Sequence, residues 1–498
     1  MKKIYLLLAF PLAVCGQTIN TSFGNNGTAT TDIAYGGESF GGMAISPAGS
    51  VYLFGSSASG TNPLLRGVGI VKFNADGGVD ESFGDHGKII HTIDSYQNIE
   101  PYAMVIQPDG KMVVAGRTGH KNVVMRILPD GNLDPDFAMN GVHVLDSDYI
   151  RDLFLGPDSK IYITGIKGLD GSLERLNTNG LYDTGFGVAG IALFDEGFAN
   201  ESLQTGKVLD DGSILCFGQS NDPAFPGNRV VFLKYSSAGV LDTSFGKRRI
   251  PLGTYDQHIT VWDFELLADN SMIVLLRGSY FAPPVSFYNS RIYKIDMTGS
   301  PVTGFASNGF YPLGADSVWP RDVAAMSNGN LMIATMVEGD SNSALNAQFF
   351  SPAGAAIPAS VVSVSVPTNS SSRRSKTLIH NDHLYVGYDK DNNGTNDLFV
   401  NGYNLSSALS LVEHNVQEVK VYPNPVTDQV TIALNSMSSD VSIDIYSITG
   451  SLLATVTEHE VTADSQLWKA NLSQFPTGMY FFRVTLDGAT TTYKVIKK

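Results

Sequence analysis

The sequence predicts an all-β protein, and three observations carry that prediction. Its 51 glycines stand in Asp-Gly, Asn-Gly and Phe-Gly pairs between short apolar runs, the punctuation of strands and tight turns. Hydrophobic residues make up 43% of the chain and charged residues 16%, the balance of a folded protein and not a disordered one. A turn-and-strand unit also recurs along most of the length. At 498 residues the chain exceeds one ordinary core, so it holds either two domains or a large repeat array. The net charge of -15 speaks against a nucleic-acid partner, which needs clustered Lys and Arg to displace counterions. The one basic cluster, Arg373-Arg374-Ser375-Lys376, reads as a solvated loop in a Ser-rich stretch.

Residues 1–16 read as a signal peptide. Lys2 and Lys3 form its basic start, and Ile4 to Val14 form an apolar stretch too short to span a bilayer. Cleavage after Val14-Cys15-Gly16 makes Gln17 the new N-terminus. Leu12-Ala13-Val14-Cys15 also resembles a lipobox, but Val14 is a poor fit there, so soluble cleavage ranks first. Only Cys216 then remains, and no intramolecular disulfide is possible. No other apolar run is long enough for a transmembrane helix.

Residues 17–412 carry the repeats. Gln107-Pro108-Asp109-Gly110 leads into the β-run Lys111 to Gly116, and six counterparts follow the same plan, with β-runs at 51–55, 161–165, 214–218, 272–276, 331–334 and 384–387. Behind each hairpin comes another β-run, a Gly turn and a Phe-bearing tail. The tail phenylalanines are Phe23, Phe83, Phe137, Phe186, Phe245 and Phe305, spaced 49 to 60 residues apart, and a seventh tail after Gly354 is eroded. Each unit supplies four short strands, and seven such units predict a seven-bladed β-propeller. Phe23 precedes any hairpin while the seventh hairpin lacks a good tail. The residues after Thr18 are therefore expected to pair with the unit around Leu384 to Tyr403, hiding the ring's edge strands. The pattern Leu-Asp-x-x-Phe-Gly-x-x-Gly with Gln-Pro-Asp-Gly-Lys, best seen at 79–87, 107–116 and 241–246, resembles the delta-60 repeats of bacterial surface proteins. That resemblance implies the propeller but no agreed activity.

After a linker at 413–419, residues 420–498 predict about seven short strands, hence a small Ig-like β-sandwich. The string Tyr422-Pro423-Asn424-Pro425, Ile445-Tyr446-Ser447-Ile448-Thr449-Gly450, Phe475-Pro476-Thr477-Gly478-Met479-Tyr480-Phe481 and Lys494-Val495-Ile496-Lys497-Lys498 closely resembles the type A sorting domain of type IX secretion. The resemblance implies the type IX machinery as a partner. It also implies passage through the periplasm of a Gram-negative bacterium, and a protein secreted or held on the outer cell surface.

The sharpest local motif is Asp389-Lys390-Asp391-Asn392-Asn393-Gly394-Thr395-Asn396-Asp397. Oxygen side chains alternate around a Gly turn, so Asp389, Asp391, Asn393, Asp397 and the Thr395 carbonyl are candidate ligands for a structural calcium. An EF-hand needs Glu where this chain has Val400, and the flanks read as strands; the bland reading is a polar hairpin. Asp32, Asp94, Asp146, Asp195, Asp256 and Asp316 follow the tail phenylalanines by nine or eleven residues, and read as caps of the crossovers between units. Gly37-Glu38-Ser39-Phe40-Gly41 matches a hydrolase elbow, but no helix follows it. Trp262 and Trp319 suit packing between units better than a glycan surface.

No catalytic constellation stands out. The leading expectation is a non-enzymatic binding or adhesion scaffold with a glycan or protein ligand on one propeller face. The alternative is a lyase or hydrolase at the mouth of the central channel. His91, Arg151, Asp152, His258, Arg321 and Asp322 discriminate the two: their convergence keeps the enzyme open, and their scatter counts against it.

Overall fold

The protein is described by a computed structural model, which covers residues 18–498 apart from 34–36, 60–61, 94–97, 120, 199, 225–229, 251–257, 283–284, 315–316, 339–341, 358–360, 368–374, 382, 393–394, 406–419, 435–440, 448–451, 462–465 and 487–488. The predicted signal peptide and the linker at 413–419 lie outside the described residues. Two compact units divide the chain, Met1–Leu409 and Ser410–Lys498. Among the described residues there is no α-helix.

The first unit holds seven antiparallel sheets among its described residues. Six are four-stranded meanders spanning residues 39–91, 100–144, 149–194, 202–249, 258–314 and 318–367. The seventh joins Lys376–His380, His383–Asn392 and Thr395–Asn404 to the N-terminal strands Thr18–Ile19 and Thr28–Thr31. Thr18 pairs with Asn404, and Thr28 to Thr31 pair with Asn401 to Leu398, as the phase of the repeat predicts. The first strand of each sheet neighbours the first strand of the next, and Lys376–His380 neighbours Ser39–Ile45, so the first strands form a closed cycle.

The second strands sit between neighbouring sheets and are covered on both faces. Met112–Thr118 is buried at every position but one, which is why the sequence there reads as an apolar run and not as an alternation. Core clusters accordingly cross from sheet to sheet: Phe54 and Ile70 of the first sheet pack with Met104, Val114 and Met125 of the second.

The Phe-bearing tail is the latch between sheets. Asp134 accepts the Asp136 amide at 3.0 Å and pairs with Arg126 at 2.8 Å, and that guanidinium lies over the Phe137 ring at 4.7 Å. Phe137, fully buried, reaches under the turn glycine of the next sheet, Gly180. The Ala138 amide then donates to the Asn179 carbonyl at 2.7 Å. The same amide-to-turn bond recurs from Gly24 to Asp76, Gly84 to Asp130, Gly187 to Ala238 and Ala306 to Ala353, at 2.7–2.9 Å. The tail at Phe245 departs from the pattern: Gly246 bonds back to Asp242, and the ring is only partly buried.

The second unit is two four-stranded antiparallel sheets around one core that includes Ile432, Ile443, Trp468, Phe482 and Val495. Lys420–Tyr422 and Glu458–Val461 are strands that the sequence pattern did not resolve. Its motif string is a set of clamps on the last strand. Asn424 donates to the Lys494 carbonyl at 2.7 Å and accepts the Ile496 amide at 3.0 Å. The Lys497 ammonium is buried against the Leu472 and Phe475 carbonyls.

The latch makes a glycine obligatory at one place. Gly180 has φ +81°, and a Cβ there falls 2.6 Å from the Phe137 ring. Gly168 has φ +66° in open space. Gly180→Ala is expected to cost about 2–4 kcal/mol, from left-handed strain plus overpacking, and Gly168→Ala only about 1–2 kcal/mol. Urea unfolding of the full chain, followed by tryptophan fluorescence, measures the difference; equal costs for the two variants contradict the latch.

Candidate functional site

Six of the seven first strands carry a β-bulge near their start. The register slips between Phe40 and Gly42, Pro101 and Ala103, Ile150 and Asp152, Leu203 and Thr205, Val261 and Asp263, and Pro320 and Val323. A bulge leaves one residue out of the ladder and re-aims its side chain. The residues passed over are Gly41, Tyr102, Arg151, Gln204, Trp262, and Arg321 with Asp322. All of them line a single cavity of about 550 Å³ inside the ring of first strands. Asp152, Thr205, Asp263, Ser375, Lys376, Arg117, Tyr149 and Ile150 complete its wall.

Three carboxylates in this wall share one job. Asp152 accepts the Leu153 amide at 2.8 Å and the Thr205 hydroxyl of the next sheet at 2.7 Å. Asp263 accepts the Phe264 amide at 2.9 Å and the Val323 amide of the next sheet at 3.0 Å. Asp322 accepts the Thr377 amide and hydroxyl of the next sheet at 2.7 and 2.8 Å, and pairs with Lys376 at 2.6 Å. Each Asp thus clasps two neighbouring first strands. Burial pushes Asp152 up, and pushes Asp263 up to about 7 with the Asp322 and Asp152 charges adding to it against the pull of Lys376. Burial works against the Lys376 ammonium, but Asp322, Asp263 and Asp152 outweigh it and raise its pKa.

Aromatic rings and guanidinium groups supply the rest of the wall. The Arg117 guanidinium lies over the Tyr149 ring at 4.3 Å, and that of Arg321 over Trp262 at 5.0 Å. Trp262 meets Trp319 edge-on at 5.9 Å, so one tryptophan faces the cavity while the other packs behind it.

Of the six discriminating residues, Arg151, Asp152, Arg321 and Asp322 converge here. His91 does not: its Nε2 faces the Gly131 carbonyl at 2.7 Å. His258 opens the fifth first strand, and its side chain lies outside the described residues. Of the basic cluster, Ser375 and Lys376 are cavity wall and not solvated loop, and Ser375 is buried; Arg373 and Arg374 lie outside the described residues. Sequence reasoning also passed over Tyr102, Gln204 and Asp263. Their only signal is position, two to five residues before an apolar run ends, and a bulge leaves no mark in composition.

The candidate calcium ligands lie elsewhere. Residues 383–392 and 395–404 form one hairpin, with Asp389 opposite Leu398 and Asp397 opposite Lys390. Asp389 and Asp391 therefore leave one face of the hairpin and Asp397 the other. Asp389 is buried and Asp391 exposed, while Thr395 bonds the Asn392 carbonyl through its hydroxyl at 3.3 Å. Asn393 lies outside the described residues. Asp397 sits within reach of Asp32 and Glu38. Among the crossover aspartates, Asp195 caps the Gly197 amide at 2.6 Å and Asp146 pairs with Lys167 at 3.7 Å; Asp94, Asp256 and Asp316 lie outside the described residues.

Asp263 sets a pH dependence. Its folded pKa lies above the unfolded value, so the native state holds the extra proton between the two and stability falls as pH rises toward 7. Asp263→Asn is expected to make that fall shallower, measured as Tm across pH 4 to 8; an unchanged slope contradicts the reading.

Residues 420–498 match a secretion system C-terminal sorting domain, and residues 107–137 match a β-propeller domain of unknown function. A stretch of 136 residues is 27% identical to the ulvan lyase NLR42 of Nonlabens ulvanivorans, covering 24% of each chain, so this protein spans about a quarter of that relative. Solved structures that superpose include the polysaccharide lyase Uly1, at TM-score 0.42 and 11% identity over 77% of this chain and 93% of the other. Drosophila Plexin A bound to Semaphorin 1b superposes at TM-score 0.43 and 9% identity, over 78% and 88%. The chain is accordingly a propeller-like repeat protein that bears a type IX C-terminal sorting domain, and it is exported to the cell surface or secreted.

Proposed function

We propose that the seven sheets are the blades of a closed seven-bladed propeller of the delta-60 type, followed by an Ig-like sorting sandwich, and that the propeller is a non-enzymatic scaffold binding an anionic saccharide at its channel mouth. One observation carries the binding reading. The wall's carboxylates are already committed to clasping neighbouring strands, and the rest of its lining carries the guanidinium groups of Arg117, Arg151 and Arg321, the amide of Gln204 and aromatic rings. Guanidinium groups suit the carboxylate or sulfate of an acidic sugar, and Tyr102, Tyr149 and Trp262 offer faces for its ring. Asp263 is held by two backbone amides, which favours a structural role, while its pKa of about 7 is one that acid–base catalysis uses and supports an enzymatic reading.

A second reading, a lyase at the same cavity, draws support from the stretch shared with an ulvan lyase and from the convergence of Arg151, Asp152, Arg321 and Asp322. Affinity electrophoresis of the full chain through gels holding a uronate-rich, a sulfated or a neutral polysaccharide separates the possibilities. Retardation is expected in the acidic gels alone, weakened about tenfold or more by Arg151→Ala, as the loss of a charge-assisted hydrogen bond worth about 1.5–3 kcal/mol requires. Trp262→Ala is expected to weaken it as well. No retardation in either acidic gel refutes the binding reading. Growth of the ultraviolet absorbance of unsaturated uronate ends transfers the assignment to the lyase.

A further inference from the structure

Two groups of three carboxylates stand outside the channel. In one, Asp32, Glu38 and Asp397 each bring an oxygen within 4.8 Å of the others; in the second, Asp170, Asp195 and Glu201 do the same. Both groups occupy the same place in the repeat. Leu398 pairs with Thr31 and Gly171 with Phe194, so the next rung sets Asp397 opposite Asp32 and Asp170 opposite Asp195. The glutamates match too: the Glu38 amide donates to the Asn396 carbonyl at 2.6 Å, and the Glu201 amide to the Leu169 carbonyl at 3.0 Å. Each Glu stands one residue before the first strand of the following sheet.

The fold does not demand acids there. At a third junction the Ile99 amide donates to the Arg66 carbonyl at 3.0 Å in the same arrangement, and the three positions hold Thr92, Ile99 and Gly67. The backbone scheme survives with a hydroxyl, an alkyl group and no side chain. Acids thus enter as a complete set at two junctions and are absent from this one.

Burial makes the set costly without a counter-ion. Glu201 is 0% exposed and Asp397 3%. Glu201 Oε2 accepts the Glu196 amide at 2.8 Å and Asp397 Oδ2 the Asn392 side-chain amide at 2.6 Å, but Glu201 Oε1 and Asp397 Oδ1 are buried with no hydrogen-bond partner among the described residues, while Asp195 and Asp32 reach solvent. A buried carboxylate oxygen beside two like charges is destabilising unless a proton or a metal cation joins it. Burial, and then the charges of Glu196, Asp195 and Asp170, push Glu201 up to about 7. The ladder lysines do not fill the role: Lys167, opposite Asp170, pairs with Asp146, and Lys390, opposite Asp397, is exposed.

We propose that these are twin divalent-cation sites, one at each of two sheet junctions, and that calcium is their ion. An all-oxygen set of three carboxylates with one side open to water suits a hard cation of flexible coordination. Each ion ties the last two strands of one sheet to the start of the next, so its effect is to fasten neighbouring sheets. Of the calcium ligands expected from the sequence, only Asp397 belongs to this arrangement.

The full chain, stripped of divalent ions and titrated with calcium chloride by calorimetry, is expected to take up two ions, with affinities of about 10⁻⁴–10⁻³ M. Saturation is expected to raise Tm by about 2–4 °C. Glu201→Gln should leave one ion, Asp397→Asn the other, and the double variant none. Where a buried substitution prevents folding, the exposed pair Asp195→Asn and Asp32→Asn gives the same readout. Uptake that persists in the double variant, or no uptake by the wild type, overturns the proposal.

Discussion

The first unit depends on one contact made repeatedly: a buried phenylalanine under the turn glycine of the next sheet, with the following amide bonded to that turn's carbonyl. Each sheet has apolar side chains on both faces, and its neighbours cover them. The latch fixes spacing at the outer end, and the Asp152, Asp263 and Asp322 clasps fix it at the inner end. Between those two anchors lie the second strands, covered on both faces.

This division explains what could be read from the sequence. The latch is local and repeated, so Phe23, Phe83, Phe137, Phe186 and Phe305 announce it by spacing alone. Even the closing partnership of Thr28–Thr31 with the last sheet follows from the phase of the tails. The cavity is a different matter. Its residues come from distant segments, chiefly the seven first strands with Arg117 from a second strand, and the first strands offer no one residue type: Gly41, Tyr102, Arg151, Gln204, Trp262, Arg321 and Lys376. Only the Asp that recurs at 152, 263 and 322 repeats, and the phase shift that one bulged residue causes is hard to read in so short a strand. Lys376 was misread because its neighbours in sequence are polar, whereas its neighbours in space are the three channel aspartates.

The carboxylates divide by what answers them. In the cavity wall, backbone amides, hydroxyl groups and Lys376 answer the aspartates, which ties neighbouring first strands together. At the two acidic junctions no such donors reach Glu201 Oε1 or Asp397 Oδ1 among the described residues. The same residue type therefore serves as mortar in one place and as an open valence in the other.

Closure by the N-terminal strands has a consequence in time. Thr28 bonds Asn401 across a separation of 373 residues, and the seventh sheet is incomplete until both ends are present. Pairings so distant in sequence are slow to form, because the entropy of the whole intervening loop is lost before any contact repays it. A nascent or threading chain can assemble individual sheets, but the ring itself is an all-or-nothing late event. Its completion waits for residue 404 to arrive, almost at the border of the sorting domain.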